Sequence, residues 1–138
     1  MIVSTKIEFR HRQIQQLGDI TDLVTILFPT NKNQQHAAAR ILLALKASHH
    51  LVPNLAFLQE EFNISRRTLE RARAKLSRLG LIERVSWMNT RYGGQEGWKL
   101  SGRMSTALRQ LADKVDDWRK DQCKARRKKN EVLVRMLN

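Results

Sequence analysis

The chain has 138 residues and a mass of 16.1 kDa, which suits one domain with an additional arm. Hydrophobic residues make up 41% and charged residues 28%, the balance of a globular chain with a packed core and not of a disordered one. Twenty-six Lys and Arg against 13 Asp and Glu give a net charge of +13, so the expected partner class is a polyanion: DNA, RNA or an anionic membrane surface.

The first residues, "IVSTKIEF", alternate loosely and predict an extended arm or edge strand. From 13 to 28, Ile14, Leu17, Ile20, Leu23, Val24 and Leu27 recur at helical spacing. Gly18 and Asp19 interrupt them, which leaves one bent helix or two short ones, with Asp19 or Thr21 as the cap of the second piece. "FPTNKN" reads as a loop, with Pro29 ending the helix before it. "QQHAAARILLALKAS", 34 to 48, is rich in helix formers and carries a broad stripe of Ala38, Ile41, Leu42 and Leu45, as a central core helix does. "HHLVP" breaks it. His49 and His50 are adjacent and do not share a helix face, so they are read as a polar helix end and not as a metal pair.

Next, "NLAFLQEEF", 54 to 62, predicts a short helix with Asn54 as its cap and Leu55, Leu58 and Phe62 on one face. "NI" is a tight connection. Ser65 then caps a helix running to about Leu79, and Gly80 stands where a left-handed terminating residue belongs. "LIERVSWM" reads as a strand, "NTRYGGQEG" as a turn-forming tip, and "WKLS" as the returning strand. From Ser105, Leu108, Leu111, Val115 and Trp118 follow a three-four-three spacing, a seam for helix pairing over 105–120; continued, the register meets Gln122 and Lys129, and a long coiled coil is not supported. "KARRKK", 124 to 129, is a basic run, read as a solvated or phosphate-binding tail.

The single cysteine, Cys123, excludes an intrachain disulfide and is read as an incidental free thiol in a reducing compartment. No apolar run approaches the ~20 residues that span a bilayer. The start of the chain lacks the long apolar centre of a secretory signal, and the expected location is the cytoplasm, associated with the nucleoid.

The stretch "NISRRTLERARAKLSRLGLIERV", 63 to 85, concentrates the charge: Arg66, Arg67, Arg71, Arg73, Lys75, Arg78 and Arg84 against Glu70 and Glu83. At 100° per residue, Leu69, Ala72, Leu76 and Leu79 fall on one side, Arg67, Arg71 and Arg78 on the opposite one, Arg66 and Arg73 toward one flank and Lys75 toward the other. Surface helices kept soluble usually mix signs; here one sign dominates, and Arg, which bonds bidentately to guanine edges and phosphates, dominates over Lys. A short helix, a tight turn and a Ser-capped helix make a helix-turn-helix arrangement, whose second helix offers its first turns to the major groove. Ser65, Arg66, Arg67, Thr68 and Arg71 hold those early positions.

With these residues in place, the chain resembles the winged-helix family of DNA-binding domains found in many small bacterial and archaeal transcription regulators. The resemblance rests on "LAFLQEEFNISRRTLERARAKLSRLGLIERV" and the hairpin after it, and covers about residues 34–101; residues 105–120 are similar to the dimerising C-terminal helix of many members. It implies a mainly α (α+β) fold: a winged helix-turn-helix with a two-stranded hairpin wing and additional N- and C-terminal helices. The implied organisation is an N-terminal arm and helix over 1–33, a candidate dimerisation element; a DNA-binding domain over 34–104; and a C-terminal helix with a basic tail over 105–138. The second helix would enter the major groove and the wing touch backbone or minor groove, so Arg91 and Tyr92 would be wing contacts, with Lys99 at the wing's base. Residues 1–30 and 121–138 match no element of the family.

The expected function is therefore that of a sequence-selective, homodimeric binder of double-stranded DNA, a transcriptional regulator contacting DNA through Ser65, Arg66, Arg67, Thr68, Arg71, Lys75, Arg78, Arg91, Tyr92 and Lys99, and pairing through Leu108, Leu111, Val115 and Trp118. The competing readings are a plasmid or phage replication, partition or nucleoid-organising factor of low selectivity, and an RNA-binding protein. RNA modules stack exposed aromatics on splayed bases, and here aromatics are only 6% and sit at core-like positions. Trp87 and Trp98 are read as hairpin packing and Trp118 as an interface or core anchor. No phosphate loop, GxSxG, HExxH or zinc-ligand spacing occurs, so no enzyme, cofactor or metal is expected. A small-molecule effector would leave no motif.

Overall fold

The computed structural model of the protein describes residues 3–86 and 93–138. Among these the chain is mainly helical, with seven helices and one small two-stranded antiparallel sheet. Contacts divide it into two units, Met1–Ser105 and Thr106–Asn138.

Residues 3–10 form no helix and join no strand. The Glu8 N–H donates to the Ile26 carbonyl at 2.9 Å, and Ile7 packs against the core. The interrupted helical pattern after them resolves into two helices, α1 (His11–Gln15) and α2 (Ile20–Leu27). Asp19, and not Thr21, caps α2: its carboxylate accepts from the N–H groups of Thr21 and Asp22 at 2.9 and 3.1 Å, satisfying two donors that lack intrahelical partners. Helix α3 (Lys32–Ala47) starts two residues before the expected 34, because Asn31 accepts from the Gln34 N–H and caps it there. Ala37, Ala38, Ile41, Leu42 and Leu45 are buried, and α3 is the central helix, packed against α2 and against the later helix over 66–79 and strand over 97–100.

Asn54 closes the turn ahead of α4 (Phe57–Glu61) by accepting from the Ala56 N–H, instead of capping the helix itself. Leu55 and Leu58 are buried, and the Arg40 guanidinium lies 3.9 Å from the centroid of the half-buried Phe62 ring. Asn63, at φ 53°, makes the tight connection, a conformation Asn tolerates better than most residues. Helix α5 (Arg66–Leu79) follows, and Gly80 ends it at φ 89°. A Cβ on Gly80 would also stand 2.8 Å from the Met104 backbone nitrogen, so both conformation and space require glycine.

Strands β1 (Ile82–Val85) and β2 (Gly97–Leu100) pair antiparallel, with Ile82 opposite Leu100 and Val85 opposite Gly97. Val52, in the stretch read only as a helix break, exchanges hydrogen bonds with Trp98 at 3.0 and 2.8 Å and lies against the hairpin as an isolated bridge. Gly97 permits this: at φ 152° a Cβ would fall 2.6 Å from the Val52 carbonyl oxygen. Trp98 is half-buried against the core, as its hairpin position predicts. Trp87, Arg91 and Tyr92 lie outside the described residues.

The expected division at 33 and 34 does not follow the packing. Ile7, Ile20, Val24, Leu27 and Phe28 share one core with Ile41, Leu76 and Ile82. The apolar stripe of α2 is covered by α3 and not left for a second chain.

Helix α6 (Arg103–Lys120) starts in the last three residues of the first unit and runs into the second, where α7 (Lys124–Arg135) follows it. The basic run expected as a tail is helical, consistent with the helix propensity of Lys, Arg and Ala. The two helices are separated at Asp121, whose carboxylate accepts from the Cys123 N–H and the Arg126 guanidinium, each at 2.9 Å. None of residues 106–138 is buried.

Candidate nucleic-acid interface

Helix α5 is held by its apolar side. Leu69, Ala72 and Leu76 are buried against α3 and β1, and Leu79 is half-buried. Its start is fixed by Ser65, whose hydroxyl accepts from the Thr68 N–H at 3.2 Å and donates to the Thr68 hydroxyl at 2.8 Å. The two hydroxyls thus sit together at the exposed head of the helix.

The outward side carries Arg66, Arg67, Arg71 and Arg78, all exposed. Their environments differ. Arg66 pairs with Glu70 at 2.9 Å, one helical turn on. Arg73, on the same flank, is half-buried with its guanidinium 5.2 Å from the Trp98 ring centroid. Among the described residues, no acid or hydrogen-bond acceptor engages the guanidinium groups of Arg67, Arg71 or Arg78. Arg67 and Arg71 are one turn apart and project from the same strip of the helix. Three exposed guanidinium groups on one strip create a local positive potential that can take up phosphate, or bond bidentately to a base edge.

Lys75 departs from the expectation. It borders the apolar stripe and is 8% exposed, so it is withdrawn from the outward set. Its ammonium donates to the Lys6 carbonyl at 2.6 Å and lies 4.8 Å from the centroid of the Phe28 ring. Burial lowers its pKa from the ordinary lysine value. The N-terminal segment covers this flank of α5, which the helix alone would leave in water.

Lys99 lies at the base of the hairpin, opposite Glu83, and its ammonium is 3.2 Å from that carboxylate. Arg103 and the Ser101 hydroxyl reach the same carboxylate at 3.1 and 3.2 Å. Burial works to raise the Glu83 pKa, but the hydrogen bonds of Lys99 and Ser101 and the charges of Lys99 and Arg103 outweigh it, and the net shift is downward. Lys99 is therefore paired with a carboxylate and not a bare cation.

On α6, Leu108, Leu111, Val115 and Trp118 are 43%, 58%, 51% and 70% exposed, a stripe of large apolar side chains in solvent. No helix among the described residues is long and apolar enough to cross a membrane.

Val3 and Ser4, which the sequence did not single out, line a shallow depression with Phe28, Asn31, Arg71 and Lys75. The N-terminal segment is thereby a neighbour of the arginine strip. The loose alternation of "IVSTKIEF" indicates an extended segment, but nothing in it says which helix it crosses.

No protein-family model, curated protein or solved structure matches the chain.

Proposed function

We propose that the protein binds double-stranded DNA by inserting α5 into the major groove, as a winged-helix domain does, and that it acts as a sequence-selective homodimeric regulator. The observation that carries this reading is the two-sidedness of α5: one side closes the core with Leu69, Ala72 and Leu76, and the other holds out Arg67, Arg71 and Arg78 without acidic partners among the described residues. The order of central helix, Val52 bridge, short helix, tight turn, α5 and hairpin supports the winged-helix assignment.

Phosphate contacts supply most of the affinity in such a complex, and side chains at base edges supply the selectivity. Arg67 and Arg71, near the head of α5, are assigned the base-edge role; Ser65, Thr68 and Arg66 sit where the phosphates flanking the groove would pass. Arg78, a further turn toward the C-terminal end, serves a backbone phosphate. The hairpin would lie on adjacent backbone or minor groove, with Arg91 and Tyr92 as the contacts that the resemblance implies and Lys99, tied to Glu83, in a lesser role. The α6 stripe of Leu108, Leu111, Val115 and Trp118 pairs with that of a second copy, because a three-four-three seam is complementary to itself.

Selection from a randomised duplex library, with nonspecific competitor at near-physiological salt, tests the reading. Enrichment of an inverted repeat is expected, and its spacing would give the separation of the two recognition helices. Retention without enrichment would transfer the assignment to a coating or partition role. No retention would remove duplex DNA as the partner.

A further inference from the structure

The N-terminal segment has no role in the reading above, yet the fold fastens it firmly. Ile7 is packed on the core, and the Glu8 N–H is bonded to Ile26. The clasp at Lys75 is less ordinary. A lysine 8% exposed is costly unless its ammonium finds a partner, and this one spans 69 positions of sequence to bond the Lys6 backbone carbonyl. The segment is thus anchored to the flank of α5, and Val3 and Ser4 lie beside Arg71. Ser4, Thr5 and Lys6 are themselves exposed, and among the described residues the Lys6 ammonium has no acidic partner.

Resting on the DNA-binding reading, we infer that residues 4–6 are a second arm of the same interface: with α5 in the major groove, they contact the sugar–phosphate backbone along the groove's edge, Lys6 through its ammonium and Thr5 through its hydroxyl. The partner chemistry is backbone phosphate, because the segment offers hydroxyl and ammonium donors and no planar group for a base edge. Lys75 is the positioning residue. Its own charge is turned inward and does not meet DNA, but it sets where Lys6 stands.

The geometry separates the two roles experimentally, since the clasp uses the Lys6 main chain and the contact uses its side chain. Binding of the intact chain to the duplex that the parent chain prefers in the library selection is measured as a function of salt for the parent, Lys6→Ala, Lys75→Met and Arg67→Ala. Lys6→Ala retains the clasp and is expected to lower the salt slope by ~1 and the affinity about fivefold near physiological salt, the effect of one lost phosphate. Lys75→Met keeps an unbranched apolar side chain, removes the ammonium and with it the hydrogen bond to the Lys6 carbonyl, and is expected to lower the slope likewise by freeing the segment. A parental salt slope in Lys6→Ala, with Arg67→Ala impaired, overturns the arm inference and leaves the reading of α5 intact. Parental binding in all three variants overturns that reading itself. Should Lys75→Met fail to fold, Lys6→Ala alone decides.

Discussion

In residues 3–105 the apolar stripes of α2, α3 and α5 close on one another, and Leu27, Ile41, Leu76 and Ile82 are almost wholly removed from water. In residues 106–138 an equally regular stripe, Leu108, Leu111, Val115 and Trp118, stays in solvent, and so do Val132, Leu133 and Met136. Both regions carry the same helical periodicity. Periodicity establishes that a helix has an apolar face; it says nothing about whether the face is covered by its own chain or by another. A helix whose stripe has no cover draws little stability from packing, and tertiary burial is where most helical stability comes from. The first region is organised as a folding unit; the second leaves its apolar side chains exposed, and under the proposed function it is one half of an association.

The largest expected effect separates the two regions directly. Leu76→Ala opens a cavity in the α3–α5 core and is expected to destabilise the chain by about 2–5 kcal/mol, read by chemical denaturation. Leu111→Ala removes a side chain of the same size from α6 and is expected to leave the unfolding of residues 3–105 nearly unchanged. It should instead weaken self-association by about tenfold or more, read by sedimentation over a concentration series. If Leu111→Ala destabilised the monomer as Leu76→Ala does, the stripe would be part of an intrachain core. A smaller effect, roughly 1–3 kcal/mol, is expected for Gly80→Ala, which forces a side chain into a left-handed backbone and against Met104. A thermal shift in Gly80→Ala without change in DNA affinity per folded molecule would show that this position serves the first region's fold alone.

Much of the first region was legible in its sequence, and the reasons are local. Ser65 and Gly80 mark the ends of α5 because capping and left-handed termination are short-range chemistry. Leu69, Ala72 and Leu76 face inward as their spacing requires. What was not legible depends on distant partners. Lys75 sits on a flank that reads as solvent until a segment 69 residues earlier is laid across it. The inclusion of α2 in the core is likewise a tertiary fact, since its stripe fits a second chain as well as it fits α3. The Val52 bridge involves a single residue and leaves no alternation to detect. Helix α7 was within reach, because its basic residues are good helix formers, and a charge run was read where propensity also pointed to a helix.

The outward side of α5 carries the proposed function, and the most direct test is the affinity of Arg67→Ala and Arg71→Ala for the duplex that the parent chain prefers, with folding verified by circular dichroism. Each substitution is expected to weaken specific binding by ~1–3 kcal/mol while leaving stability unchanged, because neither guanidinium bonds to the rest of the described chain. Parental affinity in both variants would contradict the assignment of α5 as the DNA-reading helix.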